Sequence, residues 1–397
     1  MAEKHASVFR SLKYFNARLF FAGLLLSNIG SWLQLTASSL LIYRLTGNAV
    51  DLGYNVAFQF LPMLLFGTWC GALADRHNRR RIAIISQACL AGQALLLGVL
   101  DLSGVISVPM VYALSLLLGI IGAFDNPARR GLVTELVPMV DLPNAMSLNT
   151  AVMTGSRIFG AAIATALVGP LGTGWLFILN GISYAAMIYG LTGLRKSEMY
   201  PAIMRPAGGS PVREVFKYVA GNRRLLTMFL VYVAVSTFSF NFGVALPKLA
   251  DLSWGDDRAF GWVMSVIGIG NLTGALLTAR LKTVSMRWFV SNIALLGFAS
   301  IGMAFASNLW LAFLWGVPLG IGGAAMIASG NAISQQESPP DMRGRLLALT
   351  AVAFLGSTPI GGPITGLIAD SISPEWSLAY GGVVALVCAG AAAAAWR

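Results

Sequence analysis

Two features of this chain place charged groups where they can do chemistry. The first is Arg157, alone in the apolar run Ser156-Arg157-Ile-Phe-Gly160-Ala161. A guanidinium facing lipid costs at least a few kcal/mol, so such a residue is expected to face a cavity. There it can hold an anionic or polar group, or tune a proton site. The plainer reading is a structural hydrogen bond to backbone carbonyls or polar side chains. The second feature is Gly71-Ala-Leu-Ala-Asp75-Arg76-His-Asn-Arg79-Arg80-Arg81. An acid at a helix end can pair with arginine or face the N-terminus of a neighbouring helix. Its plainer reading is a basic membrane anchor with one stray acid. Other chemistries lack their parts. The two histidines, His5 and His77, lie outside the apolar stretches, and Cys70, Cys89 and Cys388 have no metal or disulfide spacing. There is no hydrolytic triad, no paired carboxylates within the apolar stretches and no phosphate-binding G-x-x-x-x-G-K-[ST] loop. No enzyme activity, metal or cofactor is expected.

The elements that must position these groups follow from composition. Only 11% of the 397 residues are charged, 56% are hydrophobic, and the mean hydropathy is +0.72. A soluble domain carries about 25% charged residues, so the surplus apolar surface fits a chain that faces lipid. Charge-free stretches run 19–43, 52–74, 82–100, 102–124, 158–194, 225–247, 259–279, 288–336, 346–369 and 376–396. A spanning helix needs about 20 residues. Two stretches are twice that, with breakers at Gly169-Pro170-Leu171-Gly172 and at Ala306-Ser307-Asn308, so twelve spans are expected. The fifth starts upstream, near Ser147. This puts Arg157 about ten residues, or roughly 15 Å, deep, near the middle of a core about 30 Å thick. The first run, from Leu19 to Tyr43, lacks an A-x-A site and reads as a span rather than a cleaved signal.

Basic residues set the orientation. Of 27 Lys and Arg, only Arg44, Lys248 and Arg258 fall in outer loops when both termini are cytoplasmic; Arg157 lies in a span and the rest lie inside. The net charge of +11 is thus explained by topology, without nucleic acid as a partner. The Pro- and Gly-containing central loop divides the chain into a six-helix bundle over 1–194, a cytoplasmic loop over 195–224 and a second six-helix bundle over 225–397. The loop's second part, from Pro211, has the pattern of a short amphipathic helix on the anionic inner leaflet. A weak repeat supports two halves: Gly71-Ala-Leu with Gly274-Ala-Leu, Thr150-Ala-Val with Thr350-Ala-Val, and Gly155 and Gly160 with Gly356 and Gly361, all at nearly the same offset.

The segment Gly71 to Arg81 is similar to the G-x-L-a-D-R-x-x-R-R loop of the major facilitator superfamily, and here it lies between spans 2 and 3 of twelve. Asp125-Asn-Pro-Ala-Arg129-Arg130 through Asn144-Ala145, and Asp341-Met-Arg343-Gly-Arg345, resemble segments of its drug-efflux and siderophore-export branch. Span 5 resembles the Gly-rich signature of facilitator antiporters, with Ala161 where that signature has Pro. The resemblance implies an all-α membrane fold of two pseudo-symmetric six-helix bundles. It implies a conformational latch made of Gly71, Asp75, Arg76, Arg80, Arg129, Arg130, Arg343 and Arg345, with Gly71 permitting close helix approach. Because spans 1, 2, 7 and 8 line the family's cavity, it also points to Asn28, Gln34, Gln59, Asn241 and Asn271, beside Arg157, as substrate contacts. Aromatics such as Trp32 offer stacking surface. Proton coupling is implied by the family. No acid lies clearly at the midplane, and Asp51 and Asp125 are the nearest candidates.

The expected function is export of a small amphipathic compound across the bacterial inner membrane by alternating access, as a monomeric proton antiporter. The alternative is a dedicated exporter of one polar or anionic metabolite, such as a siderophore.

Overall fold

The computed structural model describes residues 9–201, 212–255, 259–281, 283–339, 342, 346, 349–350, 353–354 and 358–396. The helices are α1 (Phe15–Thr46), α2 (Ala49–Arg76), α3 (Arg79–Leu102), α4 (Val108–Leu132) and α5 (Leu142–Thr192). They continue as α6 (Val212–Gly221), α7 (Arg223–Ser239), α8 (Phe242–Trp254), α9 (Ala259–Ala279), α10 (Met286–Ala304) and α11 (Leu309–Gln336). The last two are α12 (Thr358–Ser371) and α13 (Pro374–Trp396). No strand occurs among the described residues, and 10 helical segments are long and apolar enough to cross a membrane. In lipid a helix satisfies its own backbone groups, which is why apolar runs of this length adopt it.

The expected breaks appear where the chain supplies a reason. α5 bends at Gly172, whose φ of 77° and ψ of 171° suit glycine and would strain other residues. Its 51 residues therefore hold two spans. Between α10 and α11, the Asn308 side chain accepts from the Leu311 N–H at 3.0 Å and starts the new helix. One break was not expected: the seventh span is divided into α7 and α8 at Phe240–Asn241. Asn241 turns its side-chain amide back onto the Thr237 carbonyl at 2.7 Å, satisfying a group near the interruption. The expected amphipathic helix is α6. Its Val215 and Val219 are buried against the protein, whereas Phe216 is exposed. Tyr218 donates to the Glu337 carbonyl at 2.7 Å, and Arg224 pairs with Glu337 at 2.6 Å, fastening α6 and α7 to the end of α11.

The chain forms two compact units. One comprises residues 1–38 and 65–206, the other 39–64 and 207–397. In the first, Phe20, Phe21 and Leu24 of α1 share a buried cluster with Ala83, Leu132, Leu136, Met187 and Leu191. A polar tie anchors the N-terminal segment beneath it. Tyr14 donates to Asp141 at 2.6 Å, Lys13 and Arg10 pair with the same carboxylate, and the Ser11 N–H donates to Asn144 at 2.8 Å. In this loop turn ahead of α5, the Tyr14 hydrogen bond, with Lys13 and Arg10, outweighs burial and holds the Asp141 carboxyl down to about 2.

In the second unit, α9 and α11 approach backbone to backbone. A Cβ on Gly270 would meet the Val317 carbonyl, one on Gly274 the Ile321 carbonyl, and one on Gly320 the Ile267 carbonyl. Small residues are the means by which membrane helices, lacking a hydrophobic drive toward each other, gain close packing. Gly71 is different: no described atom outside its own helix lies within 4 Å of a Cβ built there. The close approach expected at Gly71 is therefore absent among the described residues.

Two outcomes test this packing. Gly320→Val should cost about 1–3 kcal/mol by overpacking and lower the melting temperature in detergent, whereas Gly71→Ala should leave it unchanged; equal effects would refute the assignment. Asp141→Asn should speed hydrogen exchange in residues 9–14 at pH 7. A folded pKa below the ordinary 3.8 means that the tie stabilises above that range and is lost as pH falls toward 2. The wild-type and mutant rates should therefore converge only as the pH falls through about 2.

Candidate functional site

The site in the first unit is built on the crossing of α1 with the first part of α5. Leu25, Asn28, Ile29 and Trp32 lie on one stripe of α1, at helical spacing. They face Met153, Ser156, Arg157 and Gly160. Ser156 donates to the Val152 carbonyl at 2.7 Å and reaches the Leu25 carbonyl at 3.4 Å. Asn28 donates its amide to the Met153 sulfur at 2.9 Å. Gly160 sets the closeness of the crossing, because a Cβ there would collide with the Trp32 side chain and stand 2.8 Å from the Ile29 carbonyl. This brings the Arg157 guanidinium over the Trp32 ring, 4.6 Å from its centroid. Arg157 is half-buried, its Nε has no hydrogen-bond partner, and no carboxylate pairs with it among the described residues. A cation on an aromatic face, with unused donor capacity, can bind an anionic or polar group that also carries apolar surface.

A second polar system lies on the other side of α1. Gln34 donates to Gln93 of α3 at 3.1 Å and accepts from Asn180 of α5 at 2.6 Å. Asn180 reaches the Tyr184 hydroxyl at 3.4 Å, and Tyr184 shares a hydrogen bond with Ser31 at 3.3 Å. Ser31 donates to the Ser27 carbonyl at 2.9 Å, and the Ser27 hydroxyl donates to Gln87 at 3.1 Å. Gln87 then donates to Asp125 of α4 at 3.0 Å, and Arg129 pairs with the same carboxylate at 2.6 Å. Asp125 is only 1% exposed. The ladder thus runs through α1, α3, α4 and α5 and ends on a carboxylate one helical turn from its arginine. Both ends of the Gln34 amide are used within it. The sequence pointed to Gln34 and Asp125 singly. The joining residues Ser27, Ser31, Gln87, Gln93 and Tyr184 were not singled out. Their signal is polar residues recurring at intervals of three, four or six within charge-free helices.

The basic loop after α2 is organised by the same unit. Asn78 caps α3 by accepting from the Arg81 N–H at 3.0 Å. Arg79 pairs with Glu135 at 3.0 Å. Arg80 donates to the Leu191 and Thr192 carbonyls at 2.7 Å each, placing a cation on the negative end of α5. Arg76 and Arg130 are exposed. Asp75 ends α2 one residue before Arg76, but its side chain lies outside the described residues, as do Arg343 and Arg345.

The remaining candidates belong to the second unit. Asp51 and Gln59 are half-buried on α2. Asn241 is 7% exposed, and its Oδ1 lacks a partner although its amide is bound. Asn271 is half-buried on α9, at the tight crossing with Gly320 and Gly323 of α11. No group of three or more His, Cys, Asp or Glu among the described residues is arranged to hold a metal ion.

Comparison with known proteins places this arrangement. Residues 6–397 match the family model described as transmembrane secretion effector. The MFS-type transporter YfiS of Bacillus subtilis (strain 168) is 25% identical over 387 residues, covering 91% of this chain and 87% of that protein. The staphyloferrin A transporter of Staphylococcus aureus is 23% identical, with 89% of each covered, and the multidrug efflux pump Tap of Mycolicibacterium fortuitum is 24% identical, with 87% of each covered. Among solved structures, the nucleoside transporter NupG superposes with a TM-score of 0.75 at 13% identity, over 96% of this chain and 99% of that one. A D-xylose-proton symporter superposes with a TM-score of 0.74 at 14% identity, over 98% of each. With the family model spanning nearly the whole chain and the fold shared end to end, this protein belongs to the transmembrane secretion effectors of the major facilitator superfamily.

Proposed function

We propose that this transporter exports a small amphipathic compound across the bacterial inner membrane by alternating access, in exchange for protons, with Arg157 and Trp32 meeting the cargo. The observation that carries this reading is the guanidinium stacked at 4.6 Å on an indole, with its Nε unused. Such a pair offers charge and apolar surface at one point, as an amphipathic molecule requires. In this reading both termini are cytoplasmic and the chain works as a monomer of two six-helix halves. Asn28, Gln59, Asn241 and Asn271 are further contacts, and Gln34 acts through the ladder. Gly71, Asp75, Arg76, Arg80, Arg129, Arg130, Arg343 and Arg345 form the cytoplasmic latch. Asp125 carries the coupled proton: it is buried, and the amide of Gln87 links it to the ladder on the other side of α1. Asp51 is the second candidate. The efflux pump and the siderophore transporter among the relatives support export.

A second reading, a dedicated exporter of one polar or anionic metabolite such as a siderophore, is favoured by a specific observation. Arg157 has no carboxylate partner among the described residues, and an uncompensated charge in a membrane protein is costly unless a ligand completes it.

Proteoliposomes with an imposed pH gradient separate the two, using a panel of cationic, neutral and anionic compounds. Arg157→Ala should raise KM about 10-fold, a loss of about 1.4 kcal/mol, with unchanged melting temperature; unaltered kinetics would return Arg157 to a structural role. Loss confined to one anionic compound would select the dedicated exporter. Asp125→Asn should abolish gradient-driven accumulation while preserving cargo binding. Full coupling in that variant would remove Asp125 from the proton path.

A further inference from the structure

Helices α2, α8 and α12 are bound together at one end by three separate devices, all within the second unit. The first is backbone contact. A Cβ on Gly366 would stand 2.5 Å from the Ala49 carbonyl and 2.6 Å from the Val50 Cα, and one on Gly53 would stand 2.5 Å from the Gly362 carbonyl. The second is a cap from a foreign helix. Asp370, one residue before the last of α12, accepts from the Ala49 N–H at 2.9 Å and the Val50 N–H at 2.8 Å, one on each carboxylate oxygen. The third is an ion pair, with Lys248 of α8 donating to the same carboxylate at 2.5 Å. Beside them, Tyr43 of α1 donates to Asp251 of α8 at 2.7 Å.

The position of Asp370 is unfavourable on its own helix. A carboxylate in the last turn faces the negative end of that helix's dipole. The free N–H groups of α2, at the positive end of another dipole, reverse the balance, and the ammonium of Lys248 adds a charge-assisted bond. The Lys248 and Asp370 side chains are only 16% and 20% exposed, so water screens the pair less than a free surface pair. What is bound is informative: α1 and α2 come from the first six spans in sequence, α8 and α12 from the last six. The contact therefore joins the two sequence halves at the end of α2 remote from Asp75.

We propose that Asp370 is the outer latch of the transport cycle. By capping α2 and pairing with Lys248, it holds the outer face closed, and its release accompanies outward opening. This rests on the orientation proposed above. It gives α2 and α12 a reciprocal arrangement: each carries an acid one residue before its last, Asp75 on α2 and Asp370 on α12. With Asp75 assigned to the inner face, one pair of helices would serve both gates.

Spin-label distances test the latch. In the full chain in nanodiscs, with Cys70, Cys89 and Cys388 replaced by serine, labels are placed through Leu45→Cys and Leu252→Cys, both exposed positions on α1 and α8. The wild-type background should give mainly a short distance. Asp370→Asn should at least double the long-distance fraction, and Lys248→Gln should shift it in the same direction by less. Distributions identical to wild type in both variants would overturn the latch. If Asp370→Asn fails to fold, Lys248→Gln and Asp370→Glu decide: a shift in the first with partial recovery in the second supports the latch, and no shift in either overturns it. Labelling of Leu252→Cys in intact cells by an impermeant maleimide reports orientation separately. Absence of labelling would refute the orientation while leaving the distance result to stand.

Discussion

A polar group in the hydrocarbon core cannot turn to water, so an amide or hydroxyl on these helices is costly unless it finds a partner on another helix or on its own backbone. That constraint fixes the rotation of α1. One stripe of α1 presents Ser27, Ser31 and Gln34 to α3 and α5, and another presents Asn28 and Trp32 to Met153 and Arg157. Turning α1 by one residue would break both sets together. Each interhelical hydrogen bond contributes only about 0.6 kcal/mol on average in a membrane, but a buried group left without a partner costs about 1–3 kcal/mol. The ladder therefore acts less as a store of stability than as a rule against other packings. The guanidinium over Trp32 inherits its position from that rule.

Glycine plays the complementary part. Where the polar ladder specifies, the glycines of α9 and α11 let backbones touch and so allow the two helices to pack as one element. A transporter needs parts that move as bodies and a few places that give way. The division of the seventh span at Phe240–Asn241 interrupts the helix within the second unit. The break is covered by neighbouring helices: the Ser239 hydroxyl donates to the Gly381 carbonyl at 2.7 Å, and Gly361 lies against the Thr237 carbonyl. Interrupted helices of this kind in transporters occur where the chain lines a cavity or is covered by protein.

The spans were legible in the sequence because lipid penalises charge so strongly that the runs without it outline the helices. The bend at Gly172 and the start of α11 after Asn308 were legible for a related reason, since glycine and asparagine are local instructions. The interruption of the seventh span was not, because it depends on glycines more than a hundred residues later. Arg157 announced itself as a lone charge, and Trp32 stood out as a stacking surface. The ladder did not, because one glutamine or serine on an apolar helix looks like any other. Asp370 was visible as an acid at a span end, yet its meaning lies in the N–H groups of Ala49 and Val50, on a helix that the sequence assigns to the other half.

The unmatched charge of Arg157 has an electrical consequence. In an alternating-access cycle the transmembrane voltage falls mainly across whichever gate is shut. A fixed cation facing the cargo is thus carried from one side of that drop to the other as access switches. Moving one elementary charge through 100 mV is worth about 2.3 kcal/mol. A cargo with a single negative charge would neutralise Arg157 during the loaded step and make that step indifferent to membrane potential. The proton-loaded return would then bear the electrical load. A neutral cargo would leave both steps voltage-sensitive, so the current–voltage behaviour of this protein carries information about the charge of what it transports.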